Sequence, residues 1–156
     1  MNTKITTALA VLLRLCLGWF MLFDGLEAVR NPQWSAQTFL VGAKTFPAFY
    51  AWFAQPMNLW WVNPLNSWGI TLVGVALLLG VAVRPAAIAG AFLMILYYFP
   101  HYALPVVPHG YIVEEHIIDA VAFLFVAAFP AAQRFGLGGM LHATFLGRIP
   151  VIKSLL

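Results

Sequence analysis

The chain has 156 residues, 63% of them hydrophobic and 8% charged, with a mean hydropathy of +0.89. Soluble domains carry about 25% charged residues, so composition alone excludes a soluble globular protein and predicts an integral membrane one. The formal charge of +3 comes from eight Lys and Arg scattered singly, which leaves no basic stripe and excludes nucleic acid as a partner.

The first apolar span covers about 5–29 and stops at Asn31–Pro32, because proline cannot continue the helical ladder and restricts the residue before it. Lys4 ahead of a hydrophobic run imitates a signal peptide, but no small-x-small cleavage site precedes Asp24, so a retained first helix is expected. Cys16 is the sole cysteine and is expected to be a small buried hydrophobe. A lone cysteine excludes an internal disulfide, a CxxC pair and a cysteine-based zinc or iron–sulfur site.

A connection of about 31–63 follows, carrying Trp34, Phe39, Phe46, Phe49, Tyr50, Trp52, Phe53, Trp60 and Trp61 and broken by Pro47, Pro56 and Pro64. Trp and Tyr collect at the headgroup level, so one or two short interfacial helices are expected here. Two readings stand: simple anchoring, or a lid over a lipid-soluble substrate with Trp52 and Trp60 as contacts.

The second span, 65–83, has no charge and carries Gly69, Gly74 and Gly80, which suit close helix approach. Arg84–Pro85 marks a short turn into the third span, 86–99, which Pro100 kinks or ends. Residues 101–110 form a second outer loop, the fourth span covers 112–129, and 131–156 is a surface tail with Arg134, Arg148 and Lys153. The expected fold is therefore an all-α integral membrane protein: one domain over 1–156, a four-transmembrane-helix bundle with an aromatic interfacial segment between its first two helices. Lys4, Arg84, Arg134, Arg148 and Lys153 on one side, against Arg30 and Lys44 on the other, place both termini in the cytoplasm of a bacterial or archaeal cell.

The charges inside the spans are concentrated in the first and the last. Arg14, Asp24 and Glu27 lie in the first, with Asp24 and Glu27 on one face; Glu114, Glu115, His116 and Asp119 open the fourth. A charge in hydrocarbon costs about 2.5–3.5 kcal/mol, so such groups pair or line a functional cavity. An Arg14–Asp119 pair is expected to neutralise both. Three readings of the set remain open. It is a buried ion-pair network, a proton-handling site for a quinone, or a metal or haem site using His116 with His101 or His109. The third needs a ligand from a loop, so no metal or haem is assigned.

These residues resemble the DoxX/DoxD membrane proteins. The first span, with Arg14, Gly18 and Gly25, is similar to the family's opening pattern, and 49–53 resembles its aromatic interfacial segment. The stretch 72–87, then Leu96-Tyr-Tyr, is similar to its glycine-rich second helix and the passage into the third. Residues 111–119 and 133–137 resemble its fourth-helix opening and closing motif. The resemblance implies a four-helix protein of quinone-linked redox metabolism, some members being the large subunit of a thiosulfate:quinone oxidoreductase with a smaller partner. It departs at Gly69–Ile70, where an acidic residue is expected in DoxD-like members, and this puts the thiosulfate activity in doubt. Carried over residue by residue, Arg14, Glu115, His116 and Asp119 are the catalytic candidates. From the polar set and the aromatic connection themselves, Asp24, Glu27, Trp52 and Trp60 are candidates for substrate or quinone contacts.

Two functions follow as expectations. One is an oxidoreductase subunit passing electrons from a small sulfur compound, or a partner enzyme, to quinone, with Arg14 holding an anionic substrate or semiquinone and His116 and Asp119 moving protons. The other is a non-catalytic accessory subunit of a larger respiratory or photosynthetic membrane complex. Both imply membrane lipids and a partner subunit or larger complex. A transporter is weaker, since no inverted repeat is visible.

Overall fold

The longest apolar run without proline becomes the longest helix. In a computed structural model, which describes residues 3–104, 111–133 and 135–138, α1 is Thr3–Arg30 and ends just before Asn31–Pro32. Its 28 residues span about 42 Å at 1.5 Å each, more than the hydrocarbon core requires. Two short helices follow, α2 (Gln37–Val41) and α3 (Pro47–Phe53), the latter opened by a proline in its first turn.

Helix α4, Pro56–Leu79, differs from the expected 65–83. Pro56 opens it, since a first-turn proline gives up no helical hydrogen bond. Pro64 lies inside it on an exposed face, and proline is tolerated within apolar helices. Trp60 and Trp61 therefore belong to this helix rather than to the connection. Gly80, at φ 66, and Ala82, at φ 50, turn the chain into α5, Val83–His101, which carries Pro100 in its last turn.

The fourth apolar run becomes α6, Glu115–Ala128, capped by the Glu114 carboxylate, which accepts the His116 backbone N–H. That cap starts the helix three residues after 112. Its 14 residues reach about 21 Å, short of a full crossing. The helices long and apolar enough to cross a membrane, among the described residues, are α1, α4 and α5. A 3-10 turn, Pro130–Gln133, follows α6. The expectations for His109, Arg134, Arg148 and Lys153 fall outside the described residues.

Packing is pairwise, α1 against α4 and α5 against α6. Glycines let α1 and α4 touch by backbone: a Cβ on Gly74 would lie 2.4 Å from the Leu22 nitrogen, and one on Gly25 2.6 Å from the Thr71 nitrogen. Gly69 meets nothing within 4 Å, so it takes no part in that contact. Leu17, Met21, Leu77, Phe123 and Val126 fill the centre. Outward, Trp19, Phe23, Leu72 and Phe92 present apolar side chains, as expected of helices whose solvent is lipid. Cys16 is also exposed on that outer surface rather than buried.

The 3-10 turn folds back onto α1 and covers Arg14. This guanidinium is only 1% exposed. Its Nη1 donates to the Ala132 carbonyl at 3.0 Å and its Nη2 to the Phe135 carbonyl at 3.1 Å. Gly136 and Gly138 permit the approach, with the Gly138 N–H donating to the Gly80 carbonyl.

Candidate functional site

The aromatic connection is latched to the far end of α5. Pro100 has no N–H, so the carbonyl four residues earlier, Leu96, loses its helical donor. The Tyr50 hydroxyl supplies one at 2.9 Å. Burial pushes the Tyr50 phenol up from its ordinary range, so it remains a donor at physiological pH. The Lys44 N–H donates to the Pro100 carbonyl and the Thr45 hydroxyl to the Tyr102 carbonyl. Leu40, Tyr50 and Ala54 form a second small core with Trp34, Phe39 and Phe99.

Beneath this cover lies a half-open cavity of about 460 Å³, bounded by α1, the connection, α4, α5 and His116 of α6. Its wall is mostly apolar and aromatic: Trp34, Phe39, Phe49, Tyr50, Phe53, Trp61 and Tyr97. Polar groups reach it at a few points only: Asp24, Ser35, Asn66, His101 and His116. A largely apolar cavity of this size with a few convergent polar groups is the usual form of a small-molecule site.

A second cavity of about 210 Å³ adjoins it, sharing Asp24, Ile70, Tyr97 and His116 and adding Glu115 and Asp119. Asp24 of α1 and Glu115 and Asp119 of α6 therefore line one space. Between the cavities the Tyr97 hydroxyl donates to Asn66 Oδ1. His116 Nδ1 lies 2.9 and 3.0 Å from the two Glu114 carboxylate oxygens, and its ring sits 5.3 Å from that of His101. A carboxylate on one ring nitrogen fixes the imidazole's orientation and leaves Nε2 for chemistry.

The other sequence candidates lie elsewhere. Arg14 is held by the Ala132 and Phe135 carbonyls rather than by Asp119. Asp119 shares a cavity with Asp24, ten residues beyond Arg14 and so about 15 Å along α1. Glu27 is exposed and lines neither cavity. Trp52 packs its ring on Phe53 and Trp61 outside the wall, and Trp60 is 77% exposed.

Sequence reasoning passed over Asn66, Tyr97 and Trp61. A signal existed for the first of these: an amide inside an apolar span is costly unless partnered and so marks function. Tyr97 and Trp61 resemble every other interfacial aromatic until the fold points them inward. Glu114, Glu115 and His116 bring ligand-type atoms within 4.8 Å of one another, but two neighbouring acids at a helix start define no metal site.

An all-helical integral membrane protein with an aromatic cavity and a cluster of acids and imidazoles at one end is the class that fold and site define. Within that class the chain belongs to the DoxX family, whose model matches residues 9–103. The match takes in Asp24, Asn66, Tyr97 and His101; the α6 residues lie beyond it. No curated protein and no solved structure matches the chain.

Proposed function

We propose that this is a membrane subunit of quinone-linked redox metabolism, in which the 460 Å³ cavity receives a quinone ring from the lipid. The observation that carries the reading is the cavity itself: aromatic walls suited to a flat apolar ring, with proton-exchanging groups at one end. A quinone, when bound, accepts two electrons and two protons. In this reading His116, oriented at Nδ1 by Glu114, exchanges a proton through Nε2, and Asp119 and Glu115 relay protons from the smaller cavity. Asp24 faces both spaces and closes the path. The aromatic connection excludes water and admits the ring from the side. Helix α6 with its flanking residues completes a fourth crossing, both termini lie in the cytoplasm, and electrons come from a small sulfur compound or a partner enzyme.

A second reading is a non-catalytic accessory subunit of a larger respiratory or photosynthetic complex. It is favoured by Arg14, whose charge serves the packing of the turn after α6 instead of the cavity. Mild-detergent extraction from native membranes, with mass spectrometry of the proteins and small molecules that co-purify, separates the two. A bound quinone, and quinone reduction lost in His116→Ala, supports the first reading. Quinone-free recovery in stoichiometric amounts within a large complex replaces it with the second.

A further inference from the structure

The polar end of the main cavity offers hydrogen-bond donors without a fixed positive charge. Asn66 projects from α4, and its Oδ1 accepts the Tyr97 hydroxyl. Its amide nitrogen donates to no other atom among the described residues, while the side chain lines the cavity. Neither Lys nor Arg lines either cavity among the described residues. The groups there that can become positive are His101 and His116, and His116 already carries the Glu114 carboxylate on Nδ1. Around them stand Asp24, Glu115 and Asp119.

An anion entering this space exchanges its hydration for aromatic rings and carboxyl groups, a transfer that is strongly unfavourable without a cationic partner. A neutral carbonyl oxygen has the opposite balance, because it needs one donor and Asn66 has one to give.

We infer that the cavity selects an uncharged ring bearing a carbonyl acceptor, with Asn66 and Tyr97 as the residues that set this specificity, and that it rejects anions of the same size. The inference rests on the reading of the cavity as a quinone site and deepens it. A sulfur oxyanion does not share the cavity with the ring, so any such electron donor is met elsewhere, on this chain or on a partner.

The test uses the full-length protein in nanodiscs and the fluorescence of Trp34 and Trp61, which stand in the cavity wall. Three probes are titrated: a short-chain benzoquinone, the redox-inert ketone 1-tetralone, and the anion 1-naphthoate. The quinone and the ketone are expected to bind saturably, and naphthoate is not. Asn66→Leu should weaken both neutral probes about tenfold, the scale of one lost buried hydrogen bond. Tyr97→Phe, which preserves shape, should weaken them less and serves if Asn66→Leu does not fold. Naphthoate binding as tightly as tetralone, or ketone affinity indifferent to both substitutions, overturns the inference even if quinone turnover is found. Asn66-dependent binding of tetralone without quinone binding sustains the neutral-carbonyl selection and removes the quinone reading instead. Absence of binding by all three probes overturns both.

Discussion

The Tyr50 hydroxyl donates to the carbonyl of Leu96 at 2.9 Å, the carbonyl that Pro100 leaves without a helical donor. One hydrogen bond therefore repairs α5 and fastens the cavity's aromatic cover. Tyr50→Phe should cost about 1–3 kcal/mol, the penalty of an orphaned buried acceptor. Pro100→Ala restores a backbone donor, so in the double variant the two losses should fall well short of additive. Thermal unfolding of the four proteins in one detergent measures this, and simple additivity would refute the repair.

Glycine at two positions on one helix should behave in opposite ways. Gly74→Ala forces a methyl against the Leu22 backbone and should destabilise by about 2–3 kcal/mol. Gly69→Ala meets open space and should leave stability unchanged or raise it by up to about 1 kcal/mol. Unfolding in mixed micelles compares them directly.

Arg14→Lys puts a single ammonium where a forked guanidinium spans two carbonyls. A loss of about 2–4 kcal/mol is expected, with faster chymotryptic cleavage at Phe135 as the turn lifts. Binding of the neutral ring should change little in the folded fraction. Loss of ring binding with an intact turn would return Arg14 to the site.

His116→Ala should remove about 10²–10⁴-fold of quinone turnover, the usual share of a proton-transferring group. Glu114→Ala should lose part of that turnover and, as a deleted helix cap, about 1 kcal/mol of stability. Glu114→Asp, which keeps a carboxylate, should recover some of both. Steady-state quinone reduction beside unfolding temperature separates chemistry from capping.

Trp61→Leu removes an aromatic wall and should weaken ring binding about three- to tenfold. Trp60→Leu, one residue away and 77% exposed, should leave it within about twofold. Equal effects would mean that the ring does not sit in the cavity.

Hydropathy made α1, α5 and the membrane class legible, because unbroken apolar length needs no tertiary information. The start of α4 was not legible. Pro64 reads as a break in one dimension, yet α4 carries it inside the helix, as apolar helices tolerate proline, and Pro56 is the true beginning. The acids around the smaller cavity were readable from spacing, since Asp24 lies at the same depth as the opening of α6. Arg14 was not, because the partners that hold it among the described residues include the Ala132 and Phe135 backbone carbonyls, and carbonyls carry no residue-type signature. Selecting Trp61 over Trp60 needed the rotation of α4, which two adjacent tryptophans do not reveal.

The burial of Arg14 also sets a problem of timing. Its acceptor carbonyl at Ala132 lies 118 residues downstream. At about 5–20 residues per second that carbonyl is synthesised roughly 6–24 s after Arg14. Throughout that interval the first helix carries a cation whose final resting place does not yet exist. The translocon, lipid headgroups or trapped water must shelter it until residues 132–135 arrive, so the packing of the first helix closes only when the turn after α6 folds back onto it.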